Sequence, residues 1–408
     1  MPPRTAAERG GDGASRDTAV AAVFRSEAAR VSTILMRRFK DFELVEDSVQ
    51  DAIVRALETW GSAGIPKNPG GWLLTVARNK ALNRINRKVV GDQKLRLLMQ
   101  DQTDDGDDRL RLMFTCCHPA LTRDGQVALT LRAVCGFSTP ELARAFLASE
   151  TTVAQRIVRA QRKIAAAGIP YRIPAAEDLP GRIEEVMAVL YLVFNEGHLA
   201  TRAALGQHRS LAEEALWLGD LLITLLPGEA EPLGLVALMN LHLARAESRF
   251  DAAGRLVLLA DQDRSRWDRA RIMRAIQMIE KAGSFHCPGP YQLEAAIQAL
   301  HAEAPSVGAT DWEQILVLYD MLVAIAPSPV VRMNRAIAVR FRHGPAAALA
   351  DLDTLADALS GYHLFHSARA RMLLDLGRRE HARAAESEAL QLTWNPAERA
   401  LIQGRLFQ

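Results

Sequence analysis

GFSTPELARAFLASETTVAQRIVRAQRKI, residues Gly136 to Ile164, carries the clearest tertiary signal in the chain. Ser138 stands where a helix N-cap is needed and Glu141 follows three residues later, the two halves of a capping box. Leu142, Ala143 and Phe146 give this first helix an apolar face. A turn falls near Leu147 to Ser149, and Ser149 can cap a second helix whose core side is Val153, Ile157 and Ile164. The other side offers Thr151, Thr152, Gln155, Arg156, Arg159 and Arg162. Two helices, a short turn and a polar start followed by arginines describe a helix-turn-helix. Thr and Gln near the helix start suit base edges, and the arginines suit phosphates. An αα-hairpin with a basic surface is the plain alternative.

Two more helical stretches lie upstream. In FELVEDSVQDAIVRALETW (Phe42 to Trp60), Val45, Val49, Ile53, Leu57 and Trp60 recur at helical spacing as a buried stripe. Asp47, Gln50, Asp51, Arg55 and Glu58 fall opposite, either as a solvated face or as a polar docking surface for another protein. In GGWLLTVARNKALNRINRK (Gly70 to Lys88), Trp72, Leu73, Val76, Leu82 and Ile85 can pack inward. Arg78, Lys80, Arg84, Arg87 and Lys88 alternate with Asn79, Asn83 and Asn86. Such a helix can neutralise phosphates and hydrogen-bond base edges, with an aromatic nearby to stack on an unpaired base.

Two breaks separate the blocks. QDQTDDGDD (Gln100 to Asp108) has five acids and no base and reads as a linker. IPYRIPAAEDLPG (Ile169 to Gly181) has three prolines and reads as another. The expected organisation is a disordered leader (1–18), a helical block (19–96), an acidic linker (97–108), the helix-turn-helix block (109–168), a Pro-rich linker (169–181) and a long helical region (182–408). In that last region, Ser328 to Leu359 and Tyr362 to Leu392 read as successive helix pairs. Gly344 and Gly377 sit between the two helices of each pair, 33 residues apart, near the ~34-residue tetratricopeptide period. Asn395 to Phe407 would cap the array. No segment alternates with period two long enough for a strand, so the expected fold class is all-α: two small helical domains followed by a tetratricopeptide-like repeat domain.

Composition narrows the functions. The chain has 408 residues and a net charge of +2. Residues 1–170 hold 26 Lys+Arg against 19 Asp+Glu, and the remainder 24 against 29, which suggests different partners for the two halves. The longest clean apolar run, Val186 to Phe194, is too short to span a bilayer, and the polar N-terminus has no signal-peptide core, so no membrane role is expected. The chain has no Walker loop, HExxH, GxSxG or GxGxxG, so an enzyme is not expected and no cofactor is implied. Cys116, Cys117 and Cys135, with His118, fit buried packing, a redox pair or a partial zinc set; adjacent cysteines strain a mutual disulfide. No metal site is assigned. The cysteine pattern fits a reducing cytoplasm.

The three motifs in this order resemble an extracytoplasmic-function RNA polymerase sigma factor. VEDSVQDAIVRALETW is similar to its core-polymerase-binding helix, WLLTVARNKALNRINR to its −10 regions, and Gly136 to Ile164 to the region that reads the −35 element. The resemblance implies that Asp47, Gln50, Asp51 and Arg55 meet core RNA polymerase (β′ and β subunits). Trp72, Arg78, Asn79, Lys80, Asn83 and Arg84 would hold the melted −10 strand. Thr152, Gln155, Arg156 and Arg159 would meet the −35 duplex of promoter DNA. The acidic linker would sit in the polymerase channel. FTCCHPAL (Phe114 to Leu121), DQDRSRWD (Asp261 to Asp268) and TDWEQILVLYD (Thr310 to Asp320) resemble the subfamily with a tetratricopeptide-like C-terminal extension. There the extension is thought to replace a separate anti-sigma protein. A small-molecule or protein partner of that domain stays open, with inter-helix packing the plain account of Trp267, Trp312 and Tyr319. Two other classes fit parts of the chain: a one-component helix-turn-helix regulator with a ligand- or protein-sensing repeat domain, and a repeat scaffold that only docks proteins.

Overall fold

The computed structural model describes residues 27–88, 105–146, 148–198 and 205–406. The expected leader (1–18), the acids Asp101 and Asp104, Leu147 of the turn and Phe407 lie outside them, as do the side chains of Asn86, Arg87 and Lys88. Among the described residues the architecture is all-α, and β-type pairing is confined to an isolated bridge between Phe250 and Leu256. None of their helices is long and apolar enough to cross a membrane. The chain divides into two compact units, residues 1–196 and 197–408.

The first unit holds α1 (27–39), α2 (Phe42–Ala63), α3 (Pro69–Lys88), α4 (Asp105–Cys116), α5 (Arg123–Ala133), α6 (Thr139–Ala145), α7 (Glu150–Ala166) and most of α8 (Leu179–His198). Asp41 caps α2, its side chain accepting from the Leu44 amide at 3.0 Å. The buried stripe of α2 is Val45, Val49, Ala52, Ala56 and Trp60; Leu57, expected inside, is 62% exposed. The reason is angular. Each i to i+4 step turns the side chain by about 40°, so the series 45, 49, 53, 57 walks off the core face. Replacing one four-residue step by three keeps the stripe inward. Small residues on both sides, Ala52 and Ala56 on α2 with Ala77 and Ala81 on α3, are fully buried where the helices pack. Trp72 closes one end edge-on against Trp60, 5.4 Å between centroids.

Both expected linkers are shorter than the sequence suggests. α4 begins at Asp105, inside the acidic run, and Asp108 is buried. Its carboxylate pairs with Arg37 of α1 at 3.2 Å and with Arg111 at 3.0 Å. The Tyr171 hydroxyl donates to the Asp108 carbonyl at 2.9 Å, so the second connector is also anchored there. α8 starts at Leu179, three residues before the expected start of the long helical region at Arg182.

The second unit runs through α9 (Leu205–Leu225), α10 (Glu231–Ala244), α11 (Arg269–Gly283), α12 (Pro290–Glu303), α13 (Trp312–Ile325), α14 (Pro329–His343), α15 (Pro345–Asp353), α16 (Ala356–Leu359), α17 (His363–Asp375), α18 (Arg379–Leu392) and α19 (Pro396–Leu406). α10 is apolar all round and correspondingly buried, packed by α9, α11 and α12. Glu231, at its start, accepts from the Tyr291 and Gln292 amides at 3.1 and 3.2 Å, satisfying donors at the N-terminus of α12. The approach is tight: a Cβ on Gly234 would lie 2.5 Å from the Gln292 amide nitrogen. The string Asp261 to Asp268 starts at the end of one 3₁₀ turn (Leu259–Asp261) and contains a second (Arg264–Arg266); Asp268 caps α11, and Arg264 lies over the buried Trp267 ring, 4.9 Å from its centroid. Trp312 stacks on Phe341 at 3.8 Å. Farther on, α14/α15 and α17/α18 are the two expected pairs, turning at Gly344 (φ +87°) and Gly377 (φ +73°), where positive φ calls for glycine. Met333, Val339, Leu349, Leu352, Phe365 and Leu373 fill their shared core.

Gly234→Ala should destabilise the second unit by about 1–3 kcal/mol, because the clashing atom is backbone and cannot swing away. Gly228→Ala, where a Cβ meets nothing within 4 Å, serves as the control in urea unfolding. A second outcome concerns pH. Burial, then the neighbouring Glu231, raises the Glu294 carboxyl to about 7, and Tyr319 also faces it. The folded state therefore holds a proton that the unfolded chain releases near 4.3. This contribution to stability is complete below that value and is lost as pH rises through about 7, by at most about 4 kcal/mol. Glu294→Gln should flatten that part of the stability–pH curve, read from thermal melts between pH 5 and 8.

Candidate nucleic-acid and protein-docking faces

The outward stripe of α2 carries Asp47, Gln50, Val54, Leu57 and Glu58, with Asp51 and Arg55 at its edge. Gln50 and Arg55 are exposed, Arg55 pairing with Glu58 at 3.2 Å. Val54, 55% exposed, and Leu57 put apolar surface among these polar groups, as a protein-docking face requires. Sequence reading missed both, placing Leu57 in the core and passing over Val54; the 3.6-residue angle, applied strictly, would have found them.

α3 packs Leu73, Ala77 and Ala81 inward and leaves Arg78, Asn79, Lys80 and Asn83 exposed, with Arg84 and Trp72 half-buried. The two helices bring expected polymerase-facing and −10-facing residues into direct contact. Asp47 pairs with Arg84 at 3.3 Å, and Asp51 pairs with Arg84 at 3.3 Å and with Lys80 at 3.7 Å. Arg78 stands near Arg38 of α1; burial, then that like charge, lowers the Arg38 guanidinium below its usual value. Arg38 is a cation the sequence reading passed over, although the run Arg37-Arg38-Phe39-Lys40 signals it. Two neighbouring guanidiniums concentrate positive potential where a phosphate can bind.

The capping box is complete: the Ser138 hydroxyl accepts from the Glu141 amide, while the Glu141 carboxylate accepts from the Ser138 amide at 2.8 Å. Ser149 caps α7, accepting from the Thr152 amide at 3.1 Å. Val153, Ile157 and Ile164 are buried, and Thr151, Thr152, Gln155, Arg159 and Arg162 are exposed along the opposite face. Arg156 is half-buried and pairs with Asp124 of α5 at 3.0 Å; Arg159 donates to the Gln155 side chain at 3.1 Å. The helix therefore presents an amide and guanidiniums already ordered in one row.

This face is tied to the first by Glu46 of α2. Its carboxylate accepts from Arg132 of α5 at 2.8 Å and from Gln161 of α7 at 2.9 Å. α8 grips the same block from another side. Arg182 donates to the Phe114 carbonyl, and Glu185 accepts from Arg123 at 2.8 Å.

Cys116, Cys117 and Cys135 are buried. Desolvation pushes Cys116 well up and Cys117 up to about 12, the latter against the opposing hydrogen bond with Thr130 at 3.4 Å. These groups are therefore thiols rather than thiolates at neutral pH. His118 accepts from the Ala120 amide at 3.1 Å. Among the described residues no group of three or more His, Cys, Asp or Glu could hold a metal ion.

Three family models match the chain: sigma-70 region 2 over residues 23–89, sigma-70 region 4 over 111–164, and a family of unknown function (DUF6596) over 182–283. An uncharacterised protein of Rhizobium meliloti (strain 1021) is 44% identical over 386 residues, covering 91% of each chain. No solved structure matches.

The burial of the cysteines fixes their reactivity. Under native conditions iodoacetamide should modify the exposed Cys287 alone, and the other three only on unfolding, as peptide mass spectrometry would show.

Proposed function

Because the chain belongs to the extracytoplasmic-function-like sigma factors that carry a helical C-terminal extension, we propose that it binds core RNA polymerase through α2, holds the melted −10 strand on α3 and reads the −35 duplex with α7, while its C-terminal domain regulates these steps. The sigma-70 regions give it a role in promoter recognition, and the family is not enzymatic; polymerase performs the chemistry. The observation that carries the finer reading is the pairing of Asp47 and Asp51 with Lys80 and Arg84. All four are partly exposed, and exposed pairs are worth about 0–1 kcal/mol, so an incoming partner can exchange them cheaply. A polymerase cation that takes Asp51 releases Lys80, and one that also takes Asp47 releases Arg84, for phosphate. Docking on one partner thereby readies the surface for the other. On α7, Thr152 and Gln155 face base edges and Arg159 the backbone; Arg156 would leave Asp124 to join them. The working compartment is the cytoplasm, where polymerase is.

Regulation by the extension rests on α8. The match to the third family begins at Arg182, and Arg182 and Glu185 hold Phe114, Arg123 and Gln126 of the helix-turn-helix block. A C-terminal domain attached through that helix restrains region 4.

Transcription in vitro with purified core polymerase on a fragmented-genome library tests the role. New starts sharing paired −10 and −35 motifs are expected. Tight duplex binding with no new starts would instead identify a one-component regulator. Within that assay Arg159→Ala should lower output from all such starts about tenfold or more, equivalent to one lost backbone or base contact of 1–3 kcal/mol. Asp51→Asn should weaken polymerase binding yet strengthen binding of single-stranded −10 DNA by the free protein. Arg182→Ala with Glu185→Ala in the full chain should raise output severalfold; a fall from a folded variant would mean that the extension acts positively.

A further inference from the structure

A groove of about 1110 Å³ opens in the second unit between the loop around residues 251–261 and helices α14, α17, α18 and α19. Its composition is unusual for its surroundings. Residues 197–408 hold 22 Lys+Arg and 24 Asp+Glu, a net of −2. The groove is lined by Arg255, Arg340, Arg371, Arg379, Arg383 and Arg405 against only Asp251, Asp261 and Glu386. Local pairing does not cancel this excess. Asp375 alone serves both Arg340 and Arg371, and Arg405 is taken by the buried Glu386. Arg379 and Arg383, one turn apart on α18, are exposed and have no side-chain ion pair or hydrogen bond among the described residues. Between the arginines the wall is apolar. Leu258, Phe341, Leu364 and Leu374 are each 38–43% exposed although large and hydrophobic, over a floor that includes the buried Met333 and Met372.

We propose that this groove is a docking site for an acidic segment of a partner protein that carries large apolar side chains, its carboxylates meeting Arg379 and Arg383 and its apolar anchors covering Leu258, Phe341, Leu364 and Leu374. Charge complementarity selects an anionic occupant. The apolar wall requires one with hydrophobic side chains at intervals, which peptide segments supply and inorganic anions do not. Nucleic acid fits poorly. Base stacking needs a free aromatic face, and Phe341, the aromatic lining residue, already has Trp312 stacked on it and the Arg340 guanidinium over its ring, 4.8 Å from the centroid. The volume lies at the upper end of the ~300–1,000 Å³ range of ligand pockets, large enough for a short segment. Nothing in this assignment depends on the role of the first unit.

The test is selection of a displayed random peptide library on the immobilised full chain, followed by fluorescence anisotropy with the enriched peptides. Enrichment of Asp and Glu interleaved with Leu, Phe, Ile or Met is expected. The basic faces of α3 and α7 can also attract acidic peptides, so the deciding variant is Arg379→Glu with Arg383→Glu. Both side chains are exposed and without such partners, and the thermal melt should stay unchanged. Binding should weaken at least tenfold in this variant and in Leu374→Asp, and should survive Arg84→Ala with Arg159→Ala. The proposal is overturned if no acidic-apolar peptides are enriched, if basic or neutral peptides bind as well, if decanoate or single-stranded DNA binds the groove in their place, or if reversal of the two arginines leaves affinity intact.

Discussion

The first unit depends on a carboxylate with almost no access to water. Asp108 is 1% exposed, and an ionised group so placed must be paired or it costs several kcal/mol. Its partners come from two parts of the chain: Arg37 from α1, in the same block as α2 and α3, and Arg111 from the start of the helix-turn-helix block. Tyr171 adds the following connector. Sigma-70 regions 2 and 4 are thereby clasped together instead of hanging on a loose tether. That arrangement has a consequence in length. Elements at −10 and −35 are about 25 base pairs apart, roughly 85 Å of duplex at 3.4 Å per pair. A compact body of about 196 residues has a radius of gyration near 16 Å and a diameter of about 40 Å. For the proposed −10 and −35 contacts to be made at once, Asp108 would therefore have to part from Arg37. Water then reaches the carboxylate, and opening avoids the full penalty of a stranded buried charge.

The contacts at α2 and α3 follow another logic. Asp47, Asp51, Lys80 and Arg84 are partly exposed, so water screens their attraction and each pair adds little stability. What they provide is order. Side chains that would otherwise sample many rotamers are held extended on one surface, and a partner replaces contacts instead of freezing free chains. Arg156 with Asp124 and Arg159 with Gln155 do the same on α7. Both faces are polar surfaces kept aligned by weak internal pairs, while burial of Ala77, Ala81, Val153 and Ile157 fixes the helices beneath them.

Much of this was legible in the residues. The capping box at Ser138 and Glu141, the Ser149 cap and the glycines at 344 and 377 are local devices, so local sequence reveals them. The amphipathic face of α7 was equally plain because its core positions are spaced by three and four. Leu57 was misplaced because a pure i+4 series drifts, and Asp108 because composition describes the average of a run and not the one member that a distant arginine buries. The same limit hid Glu46, whose partners Arg132 and Gln161 lie 86 and 115 residues away. The groove was hidden for a further reason: its arginines are scattered from residue 255 to 405 and become a cluster only when the helices stack.

Two attachments join α1 and α2 to the helix-turn-helix block: Asp108 with Arg37, and Glu46 with Arg132 and Gln161. The Glu46 contacts are half-exposed and worth about 1 kcal/mol, whereas stranding the buried Asp108 carboxylate costs about 3–5 kcal/mol, so Asp108 dominates this junction. The α8 contacts through Arg182 and Glu185 end on Phe114, Arg123 and Gln126 and leave that junction untouched. Regulation by the C-terminal extension, as proposed above, would therefore act on the helix-turn-helix block through α8 and not on the Asp108 junction itself.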